Sequence, residues 1–240
     1  MTLHRGERPH MARTRPRSIA LFGGSFDPIH VGHLAVAQAA ERRFRLDEVH
    51  CIPSGRPPHK PKQELAPFPH RYAMVALACA DHLAFVPSLA EASADHTGRH
   101  AVYSIDTVRR FRQMLRHPED RVYFLMGADA FLEIPTWKDY EALLDSCDFI
   151  VANRPGYRMD VLRLVIPPEL LRRPGGRNGR GAAREKHAIP LRKTCIYFLE
   201  TPASHVSSTE IRRRLHRRQS IHGLVPARVE EYIFKQALYP

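Results

Sequence analysis

Short apolar runs rich in Val, Ile and Phe recur along the chain, at 18–22 (SIALF), 48–53 (EVHCIP), 84–88 (AFVPS), 121–127 (RVYFLMG), 147–152 (CDFIVAN) and 195–199 (CIYFLE). Apolar residues at helical spacing fill the intervals, at 32–45, 69–82, 104–116, 137–144, 208–217 and 226–237. Runs of that length read as buried strands, and the longer periodic stretches as amphipathic helices. Strands alternating with helices predict an α/β fold: a Rossmann-like, doubly wound parallel sheet in one domain, covered on both faces, with a C-terminal helical segment. Right-handed crossovers bring the C-terminal ends of the strands to one edge, where ligands bind. The sequence contains no internal repeat. The stretch 167–190 is rich in Pro, Gly and Arg and predicts a long insertion loop. Residues 53–69, with Pro53, Pro57, Pro58, Pro61, Pro67 and Pro69, predict an irregular segment over the sheet edge. The domain is expected over 18–239, with the insertion at about 167–193 and a basic, flexible tail over 1–17.

Composition changes this picture little. The 240 residues are 43% apolar, enough for a real core, and no run of 18 apolar residues offers a membrane span. The Arg-rich start precedes no apolar stretch, which argues against a secretory signal. Cys51, Cys79, Cys147 and Cys195 are widely spaced, lack a C-x-x-C pair, and lie in strand-like or helical runs. Buried, reduced thiols in a cytoplasmic protein are the expectation. The formal charge of +12 raises nucleic-acid binding, but its distribution argues against it. Residues 1–17 and 172–193 carry nearly all of the excess, and the remaining body is close to neutral. Association into a homo-oligomer is left open.

The chemistry gathers where predicted strands end. In LFGGSFDPIHVGH, residues 21–33, an apolar run leads into Gly23 and Gly24, then Ser25 and Phe26, then two histidines, His30 and His33, at the start of a helix. Glycines after a strand let backbone N–H groups approach an anion, and a helix N-terminus favours negative charge. The histidines add donors at the same place. The string is neither G-x-G-x-x-G nor a P-loop, and no third ligand near His30 and His33 suggests a metal site. A second anion site is readable in VSSTEIRRRL, 206–215. Ser207, Ser208 and Thr209 precede a helix whose Arg212 can fork onto phosphate oxygens. A plain capped surface helix would give the same string. Two such cradles at one sheet edge suit a triphosphate. In MGADAF, Gly127 and Asp129 follow a strand; Asp129 suits ribose hydroxyls or serves as a helix N-cap, and both roles are compatible. Trp137, the only tryptophan, either stacks on a planar ring or packs internally.

GGSFDPIHVGH resembles the nucleotidyltransferase signature, and the chain is similar to the bacterial nicotinate mononucleotide adenylyltransferases. PSGRPPHK (53–60), HRYAMVALA (70–78), VYSIDTV (102–108), FLMGADAFLEIPTWKDYEALL (124–144), ANRPGY (152–157), VSSTEIRRRL and LVPARVEEYIFKQALY (224–239) follow in the family's order. The resemblance implies that His30, His33, Ser207, Thr209 and Arg212 hold ATP, with the Gly23–Phe26 backbone beside its α-phosphate. It also implies that Trp137 stacks on the pyridine ring, that the turn at Ser104 reads the ring's carboxylate, and that Lys60, with Arg154 as second candidate, holds the mononucleotide phosphate. Arg71 and Asp106 match family positions without a separable role. The chain departs from the family pattern at Ser25 and Ser104, where Thr is usual, and at Ala237, where Gly is usual.

The expected reaction joins ATP and nicotinate mononucleotide, giving deamido-NAD and pyrophosphate, with Mg²⁺ bridging the triphosphate. The substrate's phosphate is the nucleophile, so neither a general base nor a covalent intermediate is required. A sister enzyme acting on nicotinamide mononucleotide or phosphopantetheine is the nearest rival. His30, Trp137 and SIDT argue against the phosphopantetheine branch. An RNA-binding protein using 172–193 and a class I aminoacyl-tRNA synthetase fragment are more distant; the latter would want a K-M-S-K-S-like loop.

Overall fold

The computed structural model describes residues 15–55, 65–92, 102–153, 159–172, 187–201 and 206–240. Along the first strand, β1 (Ser18–Gly24), successive side chains go to opposite faces: Ala20 and Phe22 join one core cluster, Ile19 and Leu21 the other. The same two-residue period sorts β4 (Arg121–Gly127) and β7 (Cys195–Glu200). Strands buried on both faces must be apolar at every position, which is why they appear as continuous runs.

Between β1 and β4 lie α1 (Val31–Phe44), β2 (Glu48–Pro53), α2 (Phe68–Cys79), β3 (Phe85–Pro87) and α3 (Ser104–Met114). After β4 come α4 (Ala128–Leu132), a 3₁₀ turn (Ile134–Thr136), α5 (Tyr140–Leu144), β5 (Asp148–Asn153), α6 (Met159–Arg163) and β6 (Ala188–Pro190). α7 (Ser208–His216) and α8 (Ala227–Lys235) follow β7. Among the described residues, the strands form a seven-stranded sheet in the order β3-β2-β1-β4-β5-β7-β6. All neighbours pair in parallel except β6, antiparallel to β7. α1, α2, α7 and α8 cover one face through Leu34, Met74, Ile211 and Ile233; α3, α4 and α5 cover the other through Ile105, Phe131 and Leu143. The strand order reverses between β1 and β4, and a crevice opens at such a switch point.

Three expectations need correction. The helix expected over 137–144 is broken: Pro135 opens the 3₁₀ turn, Trp137 is extended, and Asp139 has a φ of 49°, so α5 begins only at Tyr140. Residues 15 and 17, expected within the flexible tail, are engaged by the folded body. Arg15 pairs with Asp47, and Arg17 donates its N–H to Asp120 and accepts from the Arg121 N–H. The insertion is narrower than 167–193. Pro168–Leu170 form a 3₁₀ turn, Leu171 bridges Leu191, and β6 joins the sheet, with Leu170 and Leu191 buried. Residues 173–186, which carry most of its charge, lie outside the described residues.

α8 closes with paired hydrogen bonds, Leu238 N–H to Ile233 C=O and Ala237 N–H to Phe234 C=O, both 3.0–3.2 Å. This is the Schellman arrangement, which places the residue after the cap in the left-handed region, where glycine is usual. Here that residue is Ala237, with a φ of 46°. A left-handed alanine costs on the order of 1 kcal/mol, partly offset by glycine's greater freedom in the unfolded chain. Ala237→Gly should therefore stabilise the fold by about 0.5 kcal/mol in denaturant titration; an unchanged or lower midpoint would show that the turn carries no strain.

Candidate active site

β1 ends against β2 with Gly23 opposite Ile52 and Gly24 opposite Pro53, and the Gly24 carbonyl accepts from the Ser54 N–H at 2.8 Å. A Cβ on Gly24 would stand 3.1 Å from the Phe26 ring, so glycine allows that ring to fold back under the strand end. Phe26 has a φ of 46° and is buried, edge-on to Phe22 and to His33. It thus leaves its backbone rather than its ring at the site. The Asp27–Pro28 peptide is cis.

His30 caps α1 in an extended conformation, and its N–H donates to His33 Nδ1 at 3.2 Å. A neutral His33 accepting at Nδ1 carries its proton on Nε2, which makes that atom the donor. The two rings stack with centroids 3.7 Å apart. Burial lowers His30 to about 4, and burial together with His30 holds His33 well below 6.5. Both imidazoles are therefore neutral donors at neutral pH. His30 Nδ1 is buried without a hydrogen-bond partner. The Val31 N–H is engaged by the Leu224 carbonyl at 3.1 Å, so α1 offers fewer free N–H groups than its sequence promises.

The second corner meets the first directly. Ser208 Oγ donates to the Pro28 carbonyl at 2.9 Å, and Arg212 Nη1 donates to the Asp27 carbonyl at 2.5 Å. The Ser207 side chain caps α7 by accepting from the Glu210 N–H at 3.2 Å. The two serine hydroxyls are thus turned inward, and what this corner offers an anion is the first-turn N–H groups of Ser208 and Thr209, which no intrahelical carbonyl can satisfy. Thr209 is exposed. Arg213 and Arg214 both pair with Glu210, which leaves Arg212 facing the crevice.

Arg71, buried on α2, has the structural role that its sequence position left open. Nε donates to the Ala66 carbonyl, Nη1 to those of Ser25 and Ser54, and Nη2 to that of Gly55, at 2.7–3.2 Å. Four carbonyls from three segments are gathered by one guanidinium. Asp106 pairs with Arg109 at 3.4 Å on the exposed side of α3.

Across the crevice, the Phe124 ring lies 3.8 Å from the Cβ that Gly23 lacks and meets Trp137 edge-on at 6.0 Å. Ser104 opens α3 behind Tyr103, and the Lys138 ammonium sits over the Tyr103 ring at 4.2 Å. That contact brings the Trp137 segment and the Ser104 turn together. Gly127 caps α4 at the end of β4, so Asp129 is an exposed first-turn residue rather than the cap. Lys60 and Arg154 lie outside the described residues.

Three residues carry more than the sequence reading gave them. Asp27 is fully buried; its Oδ1 accepts from the Ala66 N–H at 3.2 Å and from the Tyr239 hydroxyl at 2.6 Å, while Oδ2 lacks a hydrogen bond and lies 3.7 Å from Arg212. Glu91, raised to about 7 by burial, accepts from the Gly55 N–H and stands 3.5 Å from the Thr107 hydroxyl. A charged residue inside the apolar-flanked string SFDPI was the available signal for Asp27; nothing local marks Tyr239 or Glu91.

A switch-point crevice where two corners of backbone N–H groups meet, one bearing stacked histidines, suits a nucleotide, and comparison with known proteins places the chain among the nucleotidyltransferases. The family model described as cytidylyltransferase-like matches residues 21–214. A relative from Moorella thermoacetica, named "probable nicotinate-nucleotide adenylyltransferase", is 40% identical over 94% of this chain and 93% of its own length. One of the same name from Geobacter sulfurreducens is 36% identical over 91% and 96%. Among solved structures, a nicotinic acid mononucleotide adenylyltransferase of Plasmodium falciparum shares the fold, with a TM-score of 0.66 at 19% identity over 93% of this chain and 97% of that one. The chain belongs to the cytidylyltransferase-like family and, within it, to the nicotinate-nucleotide adenylyltransferases.

The lowered His30 has a stability consequence. Between about 4 and 6.5 the unfolded chain binds a proton there that the folded chain refuses, so this contribution falls as pH drops through that range. Glu91 acts in the opposite sense, holding a proton in the fold up to about pH 7 that the unfolded chain has released. The difference between wild type and His30→Gln isolates the histidine: unfolding free energies from pH 7 to 4 should decline less in the variant. Parallel curves would place the acid sensitivity elsewhere.

Proposed function

We propose that the crevice transfers AMP from ATP to nicotinate mononucleotide, and that the residues above divide the work as follows. The observation that carries this is the hydrogen-bonded contact between the two corners, Ser208 to Pro28 and Arg212 to Asp27, which puts both within reach of one polyphosphate. The Gly23–Phe26 backbone lies at the α-phosphate. His33 Nε2–H and the otherwise unpartnered His30 ring donate to its non-bridging oxygens. The α7 N–H groups at Ser208 and Thr209, with the Arg212 nitrogens not engaged by Asp27, hold the departing pyrophosphate. Gly127 and Asp129, at the open end of β4, face the sugars. Trp137 stacks on the pyridine ring, and the N–H groups at Ser104 receive its carboxylate. Lys60 and Arg154 are assigned to the mononucleotide phosphate on sequence alone.

That phosphate is anionic at neutral pH and attacks the α-phosphorus without a base. Catalysis is then positioning and charge stabilisation. Among the described residues no group of three or more His, Cys, Asp or Glu is arranged to hold a metal. Two neutral imidazoles suit phosphate oxygens better than a hard cation, so Mg²⁺ fits as an ion carried by the triphosphate and water, with Arg212 and the α7 N–H groups steering that complex. When bound, it neutralises charge on the leaving pyrophosphate. No helix among the described residues is long and apolar enough to cross a membrane. Cys51, Cys79, Cys147 and Cys195 are buried thiols outside any disulfide, which supports a cytoplasmic setting.

Pyrophosphate release from ATP, Mg²⁺ and a panel of phosphorylated acceptors tests the assignment; the acid mononucleotide should exceed its amide and phosphopantetheine. His33→Ala should lower kcat by about 10²–10³, and wild-type-like turnover would remove His33 from the mechanism. Trp137→Ala should chiefly raise the KM for the mononucleotide, since stacking holds ground state and transition state alike. A change confined to the ATP constant would show that the ring does not stack there.

A further inference from the structure

Three of the four carbonyls of residues 25–28 are held by donors from outside the loop. Arg71 takes the Ser25 carbonyl, Arg212 that of Asp27, and Ser208 that of Pro28. The remaining anchor comes from the segment after α8. There the turn at Ala237 and a φ of 60° at Tyr239 direct the Tyr239 side chain back to the loop, where its hydroxyl donates to Asp27 Oδ1 at 2.6 Å. We infer that Tyr239 is a positioning residue for adenylyl transfer: through the buried Asp27 carboxylate it fixes the turn that sets His30 and His33. The inference rests on the proposed reading of that corner.

The physical reason is the poverty of donors around Asp27. Its side chain is fully buried, Oδ2 already lacks a hydrogen bond, and Oδ1 has only the Ala66 N–H besides Tyr239. A buried carboxylate deprived of a donor is strongly disfavoured and moves to find another. Arg71, the other nearby cation, is engaged by four carbonyls, so the cation in reach of Oδ2 is Arg212, at 3.7 Å, whose Nη1 already holds the Asp27 carbonyl. Rotation toward it would disturb the peptide that Ser208 grips and, two residues on, the His30 cap. Burial and the neighbouring Asp27 keep the Tyr239 hydroxyl protonated far above neutral pH, so it remains a donor throughout the working range. Displacement of a catalytic group by a fraction of an ångström to an ångström is enough to slow a positioned reaction by one to two orders of magnitude.

The test compares two tyrosines of the same end of the chain. Tyr239→Phe keeps the ring that packs on the core and removes only the donor. Tyr232→Phe removes the hydrogen bond between α8 and His70 on α2, 2.9 Å, without touching Asp27. In the full chain, Tyr239→Phe should lower kcat about tenfold, leave the mononucleotide KM within about twofold, and displace the imidazole ¹⁵N resonances of His30 and His33. Tyr232→Phe should lower the melting temperature by a similar amount while keeping kcat and those resonances near wild type. Asp27→Asn, a weaker acceptor of the same size, is a second route to the Tyr239→Phe signature should that variant fold poorly. Equal kinetic losses in the two tyrosine variants, or unmoved histidine resonances in Tyr239→Phe, would reduce Tyr239 to a structural contact and overturn the inference. His33→Ala separates the two failures: if it retains full turnover, the reading of the corner fails and this inference with it. A silent Tyr239→Phe beside a crippled His33→Ala sinks this inference alone.

Discussion

Two hydrogen bonds, from Ser208 and Arg212 on α7 to the carbonyls of Pro28 and Asp27, join the beginning of the domain to a helix 180 residues later. Without them α7 would still pack on the core through Ile211, but its N-terminus would not be tied to the turn at the end of β1. Parallel strands deliver the turn to the carboxyl edge of the sheet, and the helix layer on the same face delivers α7 beside it. A polyphosphate site needs donors converging from two directions onto a few ångströms. On the proposed reading, the fold reaches that by making the loop's own carbonyls the connection and keeping the first-turn N–H groups of α7 for the ligand.

That arrangement explains where the cations are. Arg71 gives four of its five N–H donors to carbonyls, Arg212 is partly used by one, and Arg213 and Arg214 are paired with Glu210. Around the site, then, most of the described guanidinium donors are engaged by the protein's own oxygens. A guanidinium gathering backbone oxygens is a rigid fork with a fixed geometry, and at a loop of irregular backbone it takes the place that a sheet ladder holds elsewhere.

The fold was legible because a sheet buried on both faces allows few polar positions, so each central strand announces itself. Elements that escaped were those with little to bury: the three-residue β6 between Arg-rich stretches, and the single-turn α4 and α6. At the site, GGSF, H-x-x-H and SSTE were readable as segments that meet at one sheet edge because each follows a strand and opens a helix. The inward turn of Ser207 and Ser208 was not, since a hydroxyl that caps a helix and one that binds phosphate look alike in sequence. Arg71 was ambiguous for the same reason. The bond between Asp27 and Tyr239 spans 212 positions and depends on left-handed backbone at Ala237 and Tyr239, neither a residue type that signals it.

The neutral histidines complete the argument. A pair of imidazolium ions would bind ATP and pyrophosphate strongly in every state, and binding that is equal in ground and transition states lowers KM without raising kcat. Burial, with the rings stacked at 3.7 Å, opposes protonation of either one, and the His30 N–H fixes the His33 tautomer. On the proposed reading, two directed dipoles face the reacting phosphate in place of two charges. Such donors respond to where charge develops more than to total charge, and they do not add to the attraction that would retain the product. In the same reading, the permanent positive charge at the departing phosphates comes from Arg212, and a Mg²⁺ bound with them would add to it without staying fixed in the site.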